Sequence, residues 1–144
     1  DESSYNTMTA SWGGMGYIWE RPSTFIFIRD TRYTYQFLQQ HESFTLSFFN
    51  EKYRNALRIC GTMSGRNTDK VKEAGLTPLE TPSGLMSFEE ARKIIECKKM
   101  FIQELDYANL AEPYKSKIME EVYKNEPSKH QMFISEIVNI WIKK

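Results

Sequence analysis

The chain has 144 residues, a length typical of one domain and sufficient to bury a core. Its 19 Lys and Arg residues balance 19 Asp and Glu residues. This zero net charge argues against non-specific nucleic-acid binding, which needs an excess of cations. Two cysteines, Cys60 and Cys97, are too few for a disulfide scaffold, so we expect buried thiols in a reducing cytoplasm. No signal peptide is visible and no apolar run is long enough to cross a bilayer, so we expect no membrane association.

The first unit predicted along the chain is strand, short helix, strand. Ser23 to Ile28 is rich in β-branched and aromatic residues, which favours a strand. Thr34 to His41 is typical of a short helix, with Thr34 as its N-cap. Ser43 to Phe49 again has the composition of a strand, because its aromatic and aliphatic residues alternate.

The middle of the chain predicts helices and loops. Asn50 to Cys60 is predicted as a helix that Asn50 caps and Gly61 ends. Asp69 to Ala74 predicts a helical turn that stops at Gly75. Thr77 to Gly84 contains two prolines and predicts a loop.

The last third combines a helix, a strand and one ambiguous segment. Ser87 to Asp106 contains good helix formers and alternates only imperfectly, so the pattern slightly favours a helix. Glu112 to Tyr123 predicts a helix with Pro113 near its start. Gln131 to Lys143 predicts a final strand.

Three segments are candidates for binding a ligand. In Asn6 to Gly14, small polar residues leave the backbone open to the polar edge of a planar heterocycle, although an ordinary glycine turn explains them as well. In Arg29 to Leu38, arginines and hydroxyls at a predicted helix start suit a phosphate, but solvated arginines paired with Asp30 or Glu42 are an equal alternative. Cys60 to Lys70 adds two glycines and two cations, and would otherwise be a connecting loop.

Taken in order, these segments resemble the flavin reductase family, whose members include flavoredoxin-like proteins. The resemblance rests on the Asn6 to Trp12 stretch (N-x-M-T-A-S-W), on Arg29 with Arg32-Tyr33-Thr34, and on Cys60 to Lys70. The segment around Phe88-Glu89-Glu90-Ala91, Cys97 and His130 fits as well. The match spans nearly the whole chain.

The resemblance implies a mainly β protein with a few helices, a split β-barrel of the FMN-binding type. It implies a closed antiparallel barrel that is usually a homodimer, and it places strands where the pattern of Ser87 to Asp106 favours a helix. Residues 1–144 would form a single FMN-binding domain. Family members have a further strand ahead of Asn6, and this chain has five residues there, so either the barrel is incomplete or the chain is truncated.

The resemblance also implies which residues hold FMN. The loop at Thr9 would lie along the isoalloxazine ring, the arginines with Thr34 would hold the phosphate, the segment at Ser64 would close over the flavin, and His130 would face the flavin or the nicotinamide. The residues implied in cofactor binding are Asn6, Thr9, Ala10, Ser11, Trp12, Arg29, Arg32, Tyr33, Thr34, Ser64, Gly65, Arg66, Lys70 and His130.

The activity implied by the family is hydride transfer from NADH or NADPH to the flavin. The cofactor carries this chemistry, which agrees with a sequence that has no Ser-His-Asp set, no paired-carboxylate signature and no metal-ligand cluster. Two alternatives stay open. One is an FMN-bound electron carrier without NAD(P)H turnover, and the other is a non-redox binding barrel.

Overall fold

A computed structural model describes residues 5–144 and has a five-stranded antiparallel sheet at its centre. The strand order is β1-β2-β7-β6-β3, and a separate two-stranded hairpin, β4-β5, lies beside β3. The strands are β1 Gly13–Ile18, β2 Arg21–Arg29, β3 Ser43–Phe48, β4 Pro78–Glu80, β5 Met86–Phe88, β6 Lys93–Glu104 and β7 His130–Ile142. The helices are α1 Tyr33–Gln40, α2 Arg54–Thr62, α3 Lys70–Ala74 and α4 Tyr114–Glu121, with 3-10 turns at Glu51–Tyr53 and Tyr107–Asn109.

The two longest strands, β6 and β7, pair with each other in the sheet. Strand β6 lies in Ser87 to Asp106, so the helical prediction for that segment is wrong. The ladder runs from Lys93 opposite Ile142 to Glu104 opposite Gln131, with irregularities at Glu96/Cys97 and Lys99/Phe101. An irregularity of this kind shifts which face the following side chains occupy. It therefore explains why the sequence alternates imperfectly in a segment that the family resemblance correctly assigns to strands.

The sheet is open, which corrects the expectation of a closed barrel. Strands β1 and β3 form its two edges, and within residues 5–144 nothing pairs with their outer sides to join them. The architecture is otherwise the predicted one, mostly β with a few short helices. No helix formed by these residues is long and apolar enough to span a membrane.

The helix boundaries differ from the predicted ones at three caps. Helix α1 begins at Tyr33 with Arg32 at its N-cap, so Thr34 lies inside the first turn. The side chain of Asn50 makes no capping hydrogen bond, and a 3-10 turn precedes α2. Gly61 lies within α2, which continues to Thr62. Helix α3 follows the prediction, because Asp69 caps it and Gly75 ends it at a φ of 72°.

Strand β4 lies in Thr77 to Gly84, for which the sequence predicts a loop, and it pairs with β5 in a short hairpin. Below it the carboxylate of Glu96 on β6 is fully buried and accepts hydrogen bonds from Asn139 Nδ2 at 3.0 Å and Trp141 Nε1 at 2.9 Å. Burial alone would raise the pKa of Glu96, but hydrogen bonds from Thr81, Asn139 and Trp141 lower it. This cluster ties the hairpin turn to the sheet.

Two apolar clusters support the ligand-facing elements. One lies between the sheet and α1 and consists of Ile26, Ile28, Leu38 and Phe133. The other lies between α2, α3 and β5 and consists of Ala56, Cys60, Val71, Leu76 and Phe88. Both cysteines are buried free thiols, as predicted.

Candidate functional site

The loop from Asn6 to Trp12 lies over α2 and leads directly into β1. The hydroxyl of Thr9 donates to the carbonyl of Leu57, which ties the middle of the loop to α2. Ala10 and Ser11, the next two residues, are exposed. Gly13 has a φ of 143°, and a Cβ there would lie 2.1 Å from the carbonyl oxygen of Phe25, so only glycine fits at the start of the strand.

A polar cleft of about 210 Å³ opens beside this loop, at the N-terminus of α1. The side chain of the N-cap residue, Arg32, makes no capping hydrogen bond there, and the N-terminus of a helix attracts anions. The cleft is lined by Asn6, Thr31, Arg32, Tyr33, Thr34, Thr62, Met63, Ser64, Arg66 and Lys70. The structure thus brings together five of the predicted phosphate and closing residues, from two distant parts of the sequence: Arg32, Thr34, Ser64, Arg66 and Lys70.

Asn6 joins the loop to the cleft. Its Nδ2 donates to Thr34 Oγ1 at 2.8 Å. A Cβ at Gly65 would lie 2.3 Å from Asn6 Oδ1, so the backbone at Gly65 packs directly on this side chain. The three predicted segments therefore meet at Asn6.

Three cations surround the cleft, and each is held by carbonyl oxygens or a ring. Arg32 Nη2 donates to the carbonyl of Gly61 at 3.2 Å, and the guanidinium of Arg66 lies 5.0 Å from the ring centre of Tyr33. Lys70 is buried, and its Nζ donates to the carbonyls of Cys60 and Met63 at 3.2 and 3.3 Å. Burial, and after it the charge of Arg32, lowers the pKa of Lys70. Over residues 5–144 no carboxylate forms a salt bridge with any of the three.

Arg29 does not reach this cleft. Its guanidinium turns to the segment before β7, where it forms a 3.3 Å salt bridge with Glu126 and donates to Ser128 Oγ at 3.0 Å and to the carbonyl of Val122 at 3.3 Å. The sequence offered Asp30 and Glu42 as carboxylate partners for the arginines, but Arg29 pairs with neither of them. The sequence could not show this, because Glu126 is remote in the chain.

His130 lies at the other end of the loop, against Trp12. The two rings stack with their centres 4.5 Å apart and a 29° angle between their planes. His130 is buried, and its Nδ1 lies 2.6 Å from the hydroxyl of Tyr123. The backbone N–H of His130 donates to the hydroxyl of Tyr107 at 2.9 Å. Sequence reasoning missed both tyrosines, because no motif or spacing marks them.

A larger cavity of about 620 Å³ adjoins the cleft, and Asn6 and Thr34 belong to the walls of both. Loop residues from Asn6 to Gly14 form one wall, while apolar side chains of α1 and β3 such as Phe37, Leu38 and Phe44 form another. A molecule with an apolar planar body and a phosphate tail could therefore contact the loop and the polar cleft together.

An open antiparallel sheet with a cation-lined cleft beside a small-residue loop is compatible with a flavin-reductase-type split barrel. The sequence model of the flavin reductase like domain matches residues 1–144, and the chain belongs to that family. No curated protein matches its sequence significantly.

Solved structures share the fold. An FMN-binding protein from Thermus thermophilus with bound p-hydroxybenzaldehyde is 19% identical with a TM-score of 0.73, and the alignment covers 96% of this chain and 65% of that one. Flavoredoxin of Desulfovibrio vulgaris is 24% identical with a TM-score of 0.70, covering 96% and 62%. An NADH:FAD oxidoreductase of Streptomyces globisporus is 15% identical with a TM-score of 0.67, covering 94% and 67%. The chain thus spans about two thirds of the length of these proteins.

Proposed function

We propose that this protein is an FMN-binding oxidoreductase that transfers hydride from NADH or NADPH to flavin. The observation that carries the proposal is the cleft at the start of α1, where Arg32, Arg66 and Lys70 converge without a carboxylate partner among the described residues. A cluster of cations at a helix N-terminus is suited to a phosphate dianion.

The residues proposed to hold FMN divide into three groups. The phosphate would be bound by Arg32, Thr34, Ser64, Arg66 and Lys70, with Tyr33 and Gly65 completing the cleft. The main chain of Thr9, Ala10 and Ser11 would meet the polar edge of the ring, with Asn6 between the ring and the phosphate. Trp12 and His130 would border the ring at the far end of the loop.

Bound flavin would supply the redox chemistry, accepting a hydride from the nicotinamide. The protein's own part would be to orient the two rings, exclude water and present hydrogen-bond donors. We also propose a cytoplasmic location, to which the two free buried thiols are suited.

An FMN-bound electron carrier is the second candidate, and the structural similarity to a flavoredoxin favours it. Anaerobic mixing of the FMN-loaded protein with NADH or NADPH separates the two functions. Bleaching of the flavin absorbance by either nucleotide supports the reductase, whereas bleaching only by a reduced protein partner or dithionite supports the carrier. A purified protein that binds no FMN would be a non-redox binding barrel.

The phosphate site is tested by a double variant, Arg32→Ala with Thr34→Ala. Charge-assisted contacts contribute roughly 1.5–3 kcal/mol each, so FMN affinity should fall at least about tenfold, while riboflavin affinity should change little. The matched control is Arg58→Ala, because Arg58 lies on exposed α2 surface and its side chain bonds only to Asn55 among the described residues. Equal losses for FMN and riboflavin would remove this cleft as the phosphate site.

A further inference from the structure

The environment of His130 is more elaborate than a packing role requires. Four groups from four parts of the chain surround it: Trp12 before β1, Arg29 on β2, Tyr107 in the second 3-10 turn and Tyr123 after α4. Tyr107 and Tyr123 also stack on each other with ring centres 4.2 Å apart. The imidazole of His130 is therefore contacted on its ring face by Trp12 and at Nδ1 by Tyr123.

The hydrogen-bond directions in this cluster follow from its chemistry. The carbonyl of Ser128 can only accept, so the hydroxyl hydrogen of Tyr107 is directed to it, over 3.0 Å. Tyr107 then accepts from the backbone N–H of His130. The hydroxyl of Tyr123 lies 2.6 Å from Nδ1 of His130, and which of the two atoms donates depends on the tautomer of the ring. Donation from the Tyr123 hydroxyl to Nδ1 requires the tautomer of His130 that carries its proton on Nε2.

We propose that Tyr123 is a positioning residue that holds His130 as a neutral imidazole with its proton on Nε2, ready to donate to a carbonyl oxygen of the ligand beside Trp12. This inference rests on the proposed flavin site, because Trp12 is what connects His130 to the ring loop. The acceptor oxygen could belong to the flavin or to a nicotinamide bound next to it, and both sources share the same chemistry.

The charges around His130 favour the neutral ring. Burial, and after it the positive charge of Arg29, lowers the pKa of His130, while Glu126 and Asp30 oppose this from the segments on either side. The Glu126 carboxylate is itself paired with Arg29, which reduces its pull on the histidine. Burial and the neighbouring Tyr107 hydroxyl raise the pKa of Tyr123, so it stays a protonated donor.

The test is long-range proton–nitrogen NMR on labelled protein without flavin. The sequence has two histidines, so His41 serves as an internal reference. The wild type should show His130 as one neutral tautomer with the proton on Nε2. In Tyr123→Phe the pKa of His130 should rise and the Nδ1–H tautomer should appear, because the neutral form has lost its donated bond. A wild-type proton on Nδ1, or an unchanged or lower pKa in the variant, would overturn the proposal.

Tyr107→Phe is the matched control, since it removes a hydroxyl that contacts the backbone of His130 and neighbours the Tyr123 hydroxyl but leaves the Tyr123–Nδ1 pair in place. Its His130 tautomer should match the wild type; an effect as large as that of Tyr123→Phe would indicate general loosening and overturn the proposal. A second experiment adds FMN first and then FMN with a non-reducing NADH analogue. A shift of the Nε2–H signal with FMN alone identifies a flavin oxygen as the acceptor, and a shift only with the analogue identifies a nicotinamide oxygen. An Nε2–H signal that shifts after neither addition would overturn the contact between His130 and the ligand. If the wild type binds no FMN, the proposed function fails, while the tautomer result still decides the role of Tyr123.

Discussion

Asn6 is the residue on which the geometry of the candidate site depends most directly. It bonds to Thr34 at the start of α1 and packs on the backbone at Gly65. A small polar side chain is required, because it must fit beside a glycine and still donate a hydrogen bond. The match between these three positions comes from three separate parts of the sequence.

This packing predicts that Gly65→Ala damages the site. The added methyl would lie 2.3 Å from Asn6 Oδ1 and 3.2 Å from Tyr33, so Asn6 must move and release Thr34. We expect a loss of about 1 to 3 kcal/mol in the free energy of unfolding, the usual cost of overpacking, together with weaker FMN binding. Urea unfolding and FMN titration measure the two effects.

Gly14→Ala is the control for this change. A Cβ at Gly14 meets nothing within 4 Å among the described residues, and the position is an exposed one in β1. Its unfolding free energy should stay within about 0.5 kcal/mol of the wild type. If both alanines are tolerated equally, Asn6 is not fixed in the way the structure indicates.

The loop from Asn6 to Trp12 is the element that the proposal assigns to the flavin ring. It is anchored at Thr9 and presents exposed main chain at Ala10 and Ser11. If the loop binds through its backbone, Ser11→Ala should leave FMN affinity nearly unchanged. Ala10→Leu should strongly reduce the flavin content, because the larger side chain takes up the space that the ring needs, yet the fold should persist.

Flavin content and circular dichroism measured on the same preparations check this. Ser11→Ala is itself the matched comparison, since it changes a neighbouring exposed side chain without adding bulk. A folded Ala10→Leu protein that retains full flavin would show that the ring binds elsewhere.

The elements of this fold differ in how visible they are in the sequence. Strands β2, β3 and β7 follow from runs of β-branched and aromatic residues, and α3 follows from its Asp69 cap and Gly75 stop. Strand β6 does not, because irregular pairing at two points breaks its alternation. The family resemblance grouped the residues that line the cleft, whereas local composition left an ordinary alternative open for each segment. The partners of Arg29 and His130 come from tertiary contacts with remote residues.

At the scale of the whole molecule, the described surface carries apolar side chains on a regular strand face. Val138, Ile140 and Ile142 lie two residues apart on β7 and are each at least 43% exposed. Residues at this spacing share one face of a strand. Met15 and Tyr17 on β1 are similarly exposed. A row of exposed apolar side chains on one strand face is typical of an interface.

We therefore expect a homodimer that uses this face of β7. Ile140→Asp should place a charge in the interface and weaken dimerisation by at least about tenfold, since burying an unpaired carboxylate costs well over 1.4 kcal/mol. Met119→Asp is the control, because Met119 is an exposed apolar residue on α4 and does not belong to β7. Light scattering across a micromolar concentration series measures the association. A wild type that stays monomeric throughout would contradict the dimer itself, and a dimer that Ile140→Asp leaves intact would place its interface on another face.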